Sequence, residues 1–127
     1  MAKQKLILVV DDEPDVQEMI KVAIEGAGYR VITANNGREC VDKARSEKPD
    51  GIVLDIMMPE MDGFAACKEL KRDPVTSKIP ILILTGLGEK LSSTRYARSM
   101  GLSLEAEDFL EKPVEPKELV KRLGEIF

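Results

Sequence analysis

Histidine is absent from the 127 residues, and so is tryptophan. Without histidine the chain can build neither a Ser-His catalytic pair nor most zinc sites, and any phosphohistidine chemistry must borrow its histidine from a partner. Aromatic residues make up only 4%, too few for a stacking platform along single-stranded nucleic acid. The two cysteines, Cys40 and Cys67, fall in separate helical patterns without metal-ligand spacing. They read as buried, reduced thiols. No apolar run reaches membrane-spanning length, and the opening "MAKQKLILVVDDEP" breaks off in acids after five apolar residues. That is neither a signal peptide nor an anchor. Lysines and arginines are scattered and the net charge is −4, so the basic footprint of direct nucleic-acid binding is missing. "GAGYRV" and "TGLGEK" contain Gly-x-Gly without the strand–Gly-rich–helix frame of a nucleotide loop.

What is present has the proportions of a soluble globular protein, 43% hydrophobic and 33% charged. Its length suits one domain spanning residues 1–127. Short apolar runs alternate with amphipathic segments. The runs are Leu6–Val10, Tyr29–Thr33, Ile52–Leu54, Ile79–Leu84 and a weaker one at Asp108–Leu110. Rich in Val, Ile and Leu and mostly not alternating, they suit parallel strands buried on both faces. Between them, Val16, Met19, Ile20, Ala23, Ile24 and Ala27 recur at helical spacing behind Pro14. Val41 and Ala44 carry a second helix opened by the turn "NNG" at Asn35–Gly37. Phe64, Cys67 and Leu70 carry a third, Leu91 to Met100 a fourth, and Val120, Leu123 and Phe127 a fifth. Five strand–helix repeats predict an α/β, doubly wound, five-stranded parallel sheet.

Acids mark the strand ends. The first run ends in Asp11 and Asp12, the third in Asp55, the fourth in Thr85, and the fifth runs into Glu111-Lys112-Pro113. In a doubly wound sheet all strand C-termini emerge at one edge, where ligands bind at the topological switch point. If the strand order is 2-1-3-4-5, the first and third strands are neighbours there, and Asp11, Asp12 and Asp55 share one crevice. Each carboxylate pair at ~4 Å costs about 4 kcal/mol at an effective dielectric near 20. A divalent cation with oxygen preference, Mg²⁺ foremost, would offset that repulsion. Blander readings stand beside this one. Asp11 and Asp12 can cap the first helix. Asp55 can be a turn residue before Pro59, and Met57, Met58 and Met61 can be flexible packing or a partner-docking patch.

With "VVDDEP", "VLDIMMPEMDG", "ILILTG" and "DFLEKP" in order at the strand ends, the chain resembles a receiver domain of a two-component response regulator, CheY-like, over essentially its whole length. The resemblance implies a flavodoxin-like fold of order 2-1-3-4-5. Asp55 then corresponds to the phospho-acceptor, a carboxylate nucleophile taking its phosphoryl group from a sensor histidine kinase or phosphotransfer protein. Asp12 would hold Mg²⁺ directly and Asp11 partly through water, with the backbone carbonyl of Met57 as a further ligand. Lys112 would neutralise the phosphoryl group, Thr85 would hydrogen-bond it, and Phe109 would repack as the switch. The output is a changed surface of the fourth helix, fifth strand and fifth helix, offered to a target protein or effector domain, with a homodimer through that face left open. A cis peptide before Pro113 is also implied.

The chain departs from the family in places. Gly86 follows the switch threonine where alanine is frequent, and "MGLSLEAEDFLEKP" is longer than expected before the fifth strand. Met57 and Leu87 occupy positions that tune self-dephosphorylation, and neither side chain can orient a hydrolytic water. A long-lived phosphoryl group is expected. Two other classes compare with the switch. A phosphate-independent interaction module would not need Asp11, Asp12, Asp55, Thr85 and Lys112. An aspartyl-phosphate phosphatase of the haloacid-dehalogenase type needs an Asp where Met57 stands.

Overall fold

The computed structural model describes residues 4–55, 63–85, 108–111 and 115–126. In chain order these form β1 (Leu6–Val10), α1 (Pro14–Gly26), β2 (Arg30–Ala34), α2 (Gly37–Glu47), β3 (Gly51–Asp55), α3 (Gly63–Arg72), β4 (Ile81–Thr85), β5 (Asp108–Glu111) and α4 (Pro116–Ile126). Here α4 is the fifth helix expected from sequence. The expected fourth, Leu91 to Met100, lies outside the described residues, as do most of the long segment before β5 and the peptide before Pro113. All four strand pairings are parallel, in the order β2-β1-β3-β4-β5. The strand order implied by the family resemblance is therefore the one observed.

The absence of alternation in the strand sequences has a direct cause. Along β1, β3 and β4, Leu8, Val10, Ile52, Leu54, Ile81 and Ile83 point to one face of the sheet, into a core completed by Cys40, Val41 and Ala44 of α2 and Ala66, Cys67 and Leu70 of α3. Ile7, Val9, Val53, Leu82 and Leu84 point to the other, against Ile20 and Ile24 of α1 and Leu119 and Leu123 of α4. Both faces are covered, so every position must be apolar. Edge strand β2 is the exception. It is only partly buried until Ala34, having a neighbour on one side alone.

Local signals set the helix ends. Pro14 occupies the first turn of α1, where its missing N–H costs nothing. The N-cap is Glu13, with no side-chain cap bond, so neither Asp11 nor Asp12 fills the capping role considered from sequence. Packing rather than propensity holds this helix. Burying Ile20 or Ile24 is worth roughly 2–3 kcal/mol, several times the roughly 0.5 kcal/mol by which a β-branched residue disfavours a helix. At its far end Ala27 lies beyond the last turn, and Gly28 takes φ 100° to turn the chain into β2. No atom crowds a Cβ at Gly28, so the requirement there is conformational. Helix α2 opens on Asn36, whose side chain accepts from the Glu39 N–H at 2.8 Å. It closes on Lys48 in the left-handed region, φ 48°.

Strand boundaries shift where a turn competes for the residue. The apolar run Ile79–Leu84 predicts an earlier start for β4 than Ile81. Ile79 instead belongs to the turn after α3, its N–H donating to Thr76 O and its carbonyl accepting from Lys71 Nζ at 3.3 Å. The Thr76 hydroxyl, buried, donates to Leu70 O at 2.6 Å and closes α3. An Arg45–Asp73 ion pair at 2.9 Å ties α2 to the same turn. Both cysteines are buried and free, as the sequence led us to expect.

Candidate functional site

The register of the central strands brings the acids together. Val10 of β1 pairs with Leu54 of β3, so the next residues on each strand, Asp11 and Asp55, are neighbours at the C-terminal edge of the sheet. The bond from Asp11 N–H to Ala34 O at 3.3 Å carries the β1–β2 ladder one step past β1. Asp12 follows on the loop to α1. One carboxylate oxygen from each of Asp11, Asp12 and Asp55 lies within 4.8 Å of the others. Asp11 is 0% and Asp55 1% exposed, whereas Asp12 is exposed.

Burial of this kind is costly and therefore informative. Besides Asp11 and Asp55, the buried polar residues among those described include only Thr76, whose hydroxyl closes α3. At the observed separation the buried Asp11–Asp55 pair repels by about 3–4 kcal/mol for an effective dielectric near 20, and the pairs with exposed Asp12 repel less because solvent screens them. A local bond holds the first of the acids in place: Asp11 Oδ1 accepts from the Glu13 N–H at 2.9 Å. Among the described residues no buried side-chain nitrogen or oxygen lacks a hydrogen-bond partner.

The donor set is three carboxylates in a chain without histidine. Two are fixed by strands and buried, while the third faces water. Hard oxygen ligands with a solvated side fit a small divalent cation that keeps part of its water shell. The residues present thus fit Mg²⁺ in charge, ligand type and spacing.

Thr85 ends β4, one residue past the Asp55–Leu84 pairing, and pairs in register with Glu111 of β5. Phe109 pairs with Ile83. Both backbones are thus at or near the same edge, while their side chains lie outside the described residues. Met57, Lys112 and Gly86 also lie outside them. Gln17 of α1 is a site neighbour that sequence reading passed over. Its Nε2 donates to the Asp11 carbonyl at 3.0 Å, the Ala34 carbonyl at 3.0 Å and Asn35 Oδ1 at 3.1 Å. A glutamine six residues past an aspartate has no pattern to announce such contacts, which only the fold brings about.

Comparison with known proteins follows the same lines. The family model described as response regulator receiver domain matches residues 7–124. The alkaline phosphatase synthesis transcriptional regulatory protein PhoP of Bacillus subtilis is 42% identical over 122 residues, covering 96% of this chain and 48% of that protein. This chain spans about half the length of the curated relatives it matches. Among solved structures, a response regulator of Chloroflexus aurantiacus described as putative superposes with TM-score 0.87 at 37% identity, covering 97% of both chains. The receiver domain of sensor histidine kinase PA1611 from Pseudomonas aeruginosa superposes with TM-score 0.84 at 28% identity, covering 98% of both. That structure holds a magnesium ion in its active site cleft. Among the described residues no helix is long and apolar enough to cross a membrane.

Proposed function

Since the chain belongs to the response regulator receiver domain family of two-component signalling, we propose that it works as a phosphorylation-driven switch with Asp55 as the acceptor. The observation that carries this reading is the cluster of Asp11, Asp12 and Asp55 at the switch-point edge. The Asp55 carboxylate oxygen attacks the phosphorus of a phosphohistidine on a histidine kinase or phosphotransfer partner. A P–O bond forms, the P–N bond breaks, and the partner's imidazole leaves with the electron pair. The chain's lack of histidine is consistent with a donor in trans.

Asp11, Asp12 and Asp55, with the Met57 carbonyl, would hold Mg²⁺. When bound, the ion supplies neutralisation of the charge that builds on the transferring phosphoryl oxygens. Lys112 adds positive charge, and Thr85 donates a hydrogen bond to a phosphoryl oxygen. Phe109 then repacks and alters the surface around β5 and the flanking helices, where a target protein, an effector domain or a second copy of the chain docks. The reading treats residues 1–127 as one cytoplasmic receiver unit. It acts as a switch that assists its own phosphorylation rather than as a turnover enzyme. A phosphate-independent module would have no use for two buried, mutually repelling carboxylates at the switch point.

The test is incubation with acetyl phosphate or phosphoramidate and Mg²⁺, followed by intact-mass measurement of the wild type and Asp55→Asn. A phosphate-sized adduct on the wild type alone is expected. An adduct on both proteins, or on neither, overturns the assignment. The adduct should also persist without a phosphatase, because Met57 and Leu87 offer no side-chain hydrogen bond to an attacking water. Loss within seconds would refute that part.

A further inference from the structure

The side chain of Gln17 bridges the acid loop and the β2–α2 loop. The three atoms around Nε2 are all acceptors: Asp11 O, Ala34 O and Asn35 Oδ1. This fixes the amide with its NH₂ toward them. The Ala34 carbonyl accepts from Asp11 N–H as well as from Gln17. Asn35 is itself anchored, since its N–H donates to Glu39 Oε1 at 2.7 Å, and Glu39 lies in the capped first turn of α2. A continuous path of hydrogen bonds therefore runs from α2 through Asn35 and Gln17 to Asp11.

We infer that Gln17 is a positioning residue for the carboxylate site, holding Asp11 preformed toward Asp12 and Asp55. The inference rests on the metal-binding reading above. Asp11 is tied at its N–H by Ala34, at its carbonyl by Gln17 and at Oδ1 by Glu13. The carbonyl bond is the one among these that comes from a side chain, and so the one a substitution can remove. Without it the Asp11 carbonyl loses the tie that α1 gives the acid loop, and the ion must do more of the work of gathering the carboxylates. Partners behind metal ligands commonly contribute 10–100-fold to affinity. Three acceptors share two N–H groups, so removing one acceptor should matter less than removing the donor.

The test is Mg²⁺ binding to the full chain by isothermal titration calorimetry, without a phosphodonor. Gln17→Met keeps the length of the side chain and removes its donors. It should weaken Mg²⁺ binding by about tenfold or more. Ile24→Val, in the core below α1, is the structural control and should leave Mg²⁺ affinity within about twofold of wild type. If Gln17→Met does not fold, Gln17→Asn, one methylene short of the acceptors, should give the same loss. Wild-type affinity in the glutamine variant overturns the inference, as does an equal loss in Ile24→Val. Failure of the wild type to bind Mg²⁺ at all would instead overturn the metal-binding reading.

Discussion

Cys40 stands wholly inside the core between α2 and the sheet, and this burial has a chemical consequence. Removal from water disfavours the thiolate, and the electrostatic interaction with Cys67 adds to the effect. Together they push the Cys40 thiol from its usual 9.0 up to about 12. Between those values the folded protein keeps a proton that the unfolded chain gives up. The stability from this site is thus fully present below pH 9 and drains away as pH rises toward 12. The limiting slope is about 1.4 kcal/mol per pH unit. The gap in unfolding free energy between wild type and Cys40→Ala should accordingly narrow on going from neutral pH to roughly pH 10 or above. Urea unfolding of both proteins across that range checks it, and a constant gap would refute it. The same burial predicts slow reaction with thiol reagents under native conditions, because the thiolate is the attacking species. Asp55 shows the opposite use of a buried ionisable residue. Cys40 is neutral in its surroundings, whereas Asp55 sits at a strand end beside two further acids, where charge can be met by a ligand.

Helix α1 shows how much of an element can be read before its fold is known. Its apolar spacing picks out Ile20 and Ile24, and both are completely buried. Met19 and Ala27, which share the spacing, are respectively 41% exposed and beyond the helix end. Val22 is 57% exposed. Ile24→Ala should cost about 2–5 kcal/mol. Val22→Ala should fall within about 0.5 kcal/mol of wild type, alanine being the better helix former. Chemical denaturation of the pair measures this directly, and equal losses would mean that the helix is turned differently on the sheet. β1 and β3 were legible because burial on both faces leaves an unbroken apolar run, and a carboxylate closing such a run stands out. β2 and β4 were blurred at their ends for a reason that no run of apolar residues carries. Ile79 was taken by the α3 turn through bonds to Thr76 and Lys71, and edge strand β2 has a neighbouring strand on one side alone. The acid cluster was legible from strand ends once the strand order was assumed. Gln17 was not legible at all, because its acceptors lie 6, 17 and 18 residues away and meet it only in the folded chain.

For the whole molecule, the site is a place where stability is exchanged for readiness to bind. The sheet sets Asp11 and Asp55 out of water and brings the exposed Asp12 within 4.8 Å of them. In the metal-free protein their mutual repulsion opposes folding, because the acids are much farther apart in the unfolded chain. A cation that binds only the folded arrangement stabilises it by RT ln(1 + [L]/Kd), which is about 2.7 kcal/mol at a hundredfold excess over Kd. Asp12 is the residue with which to separate these effects, since its exposure spares the variant a buried unsatisfied group. Asp12→Asn should raise the metal-free melting temperature by a few degrees, consistent with relief of about 1 kcal/mol of repulsion screened by solvent. The same substitution should largely abolish the further rise that millimolar Mg²⁺ produces in the wild type. Calorimetric scans of both proteins, with Mg²⁺ and with chelator, read the two predictions together. A variant that melts lower than the wild type without metal would show that the carboxylates are not in net repulsion. A variant stabilised by Mg²⁺ as strongly as the wild type would show that the ion binds elsewhere. The two shifts are coupled through one group of charges: the repulsion that weakens the empty fold is what binding of the cation relieves.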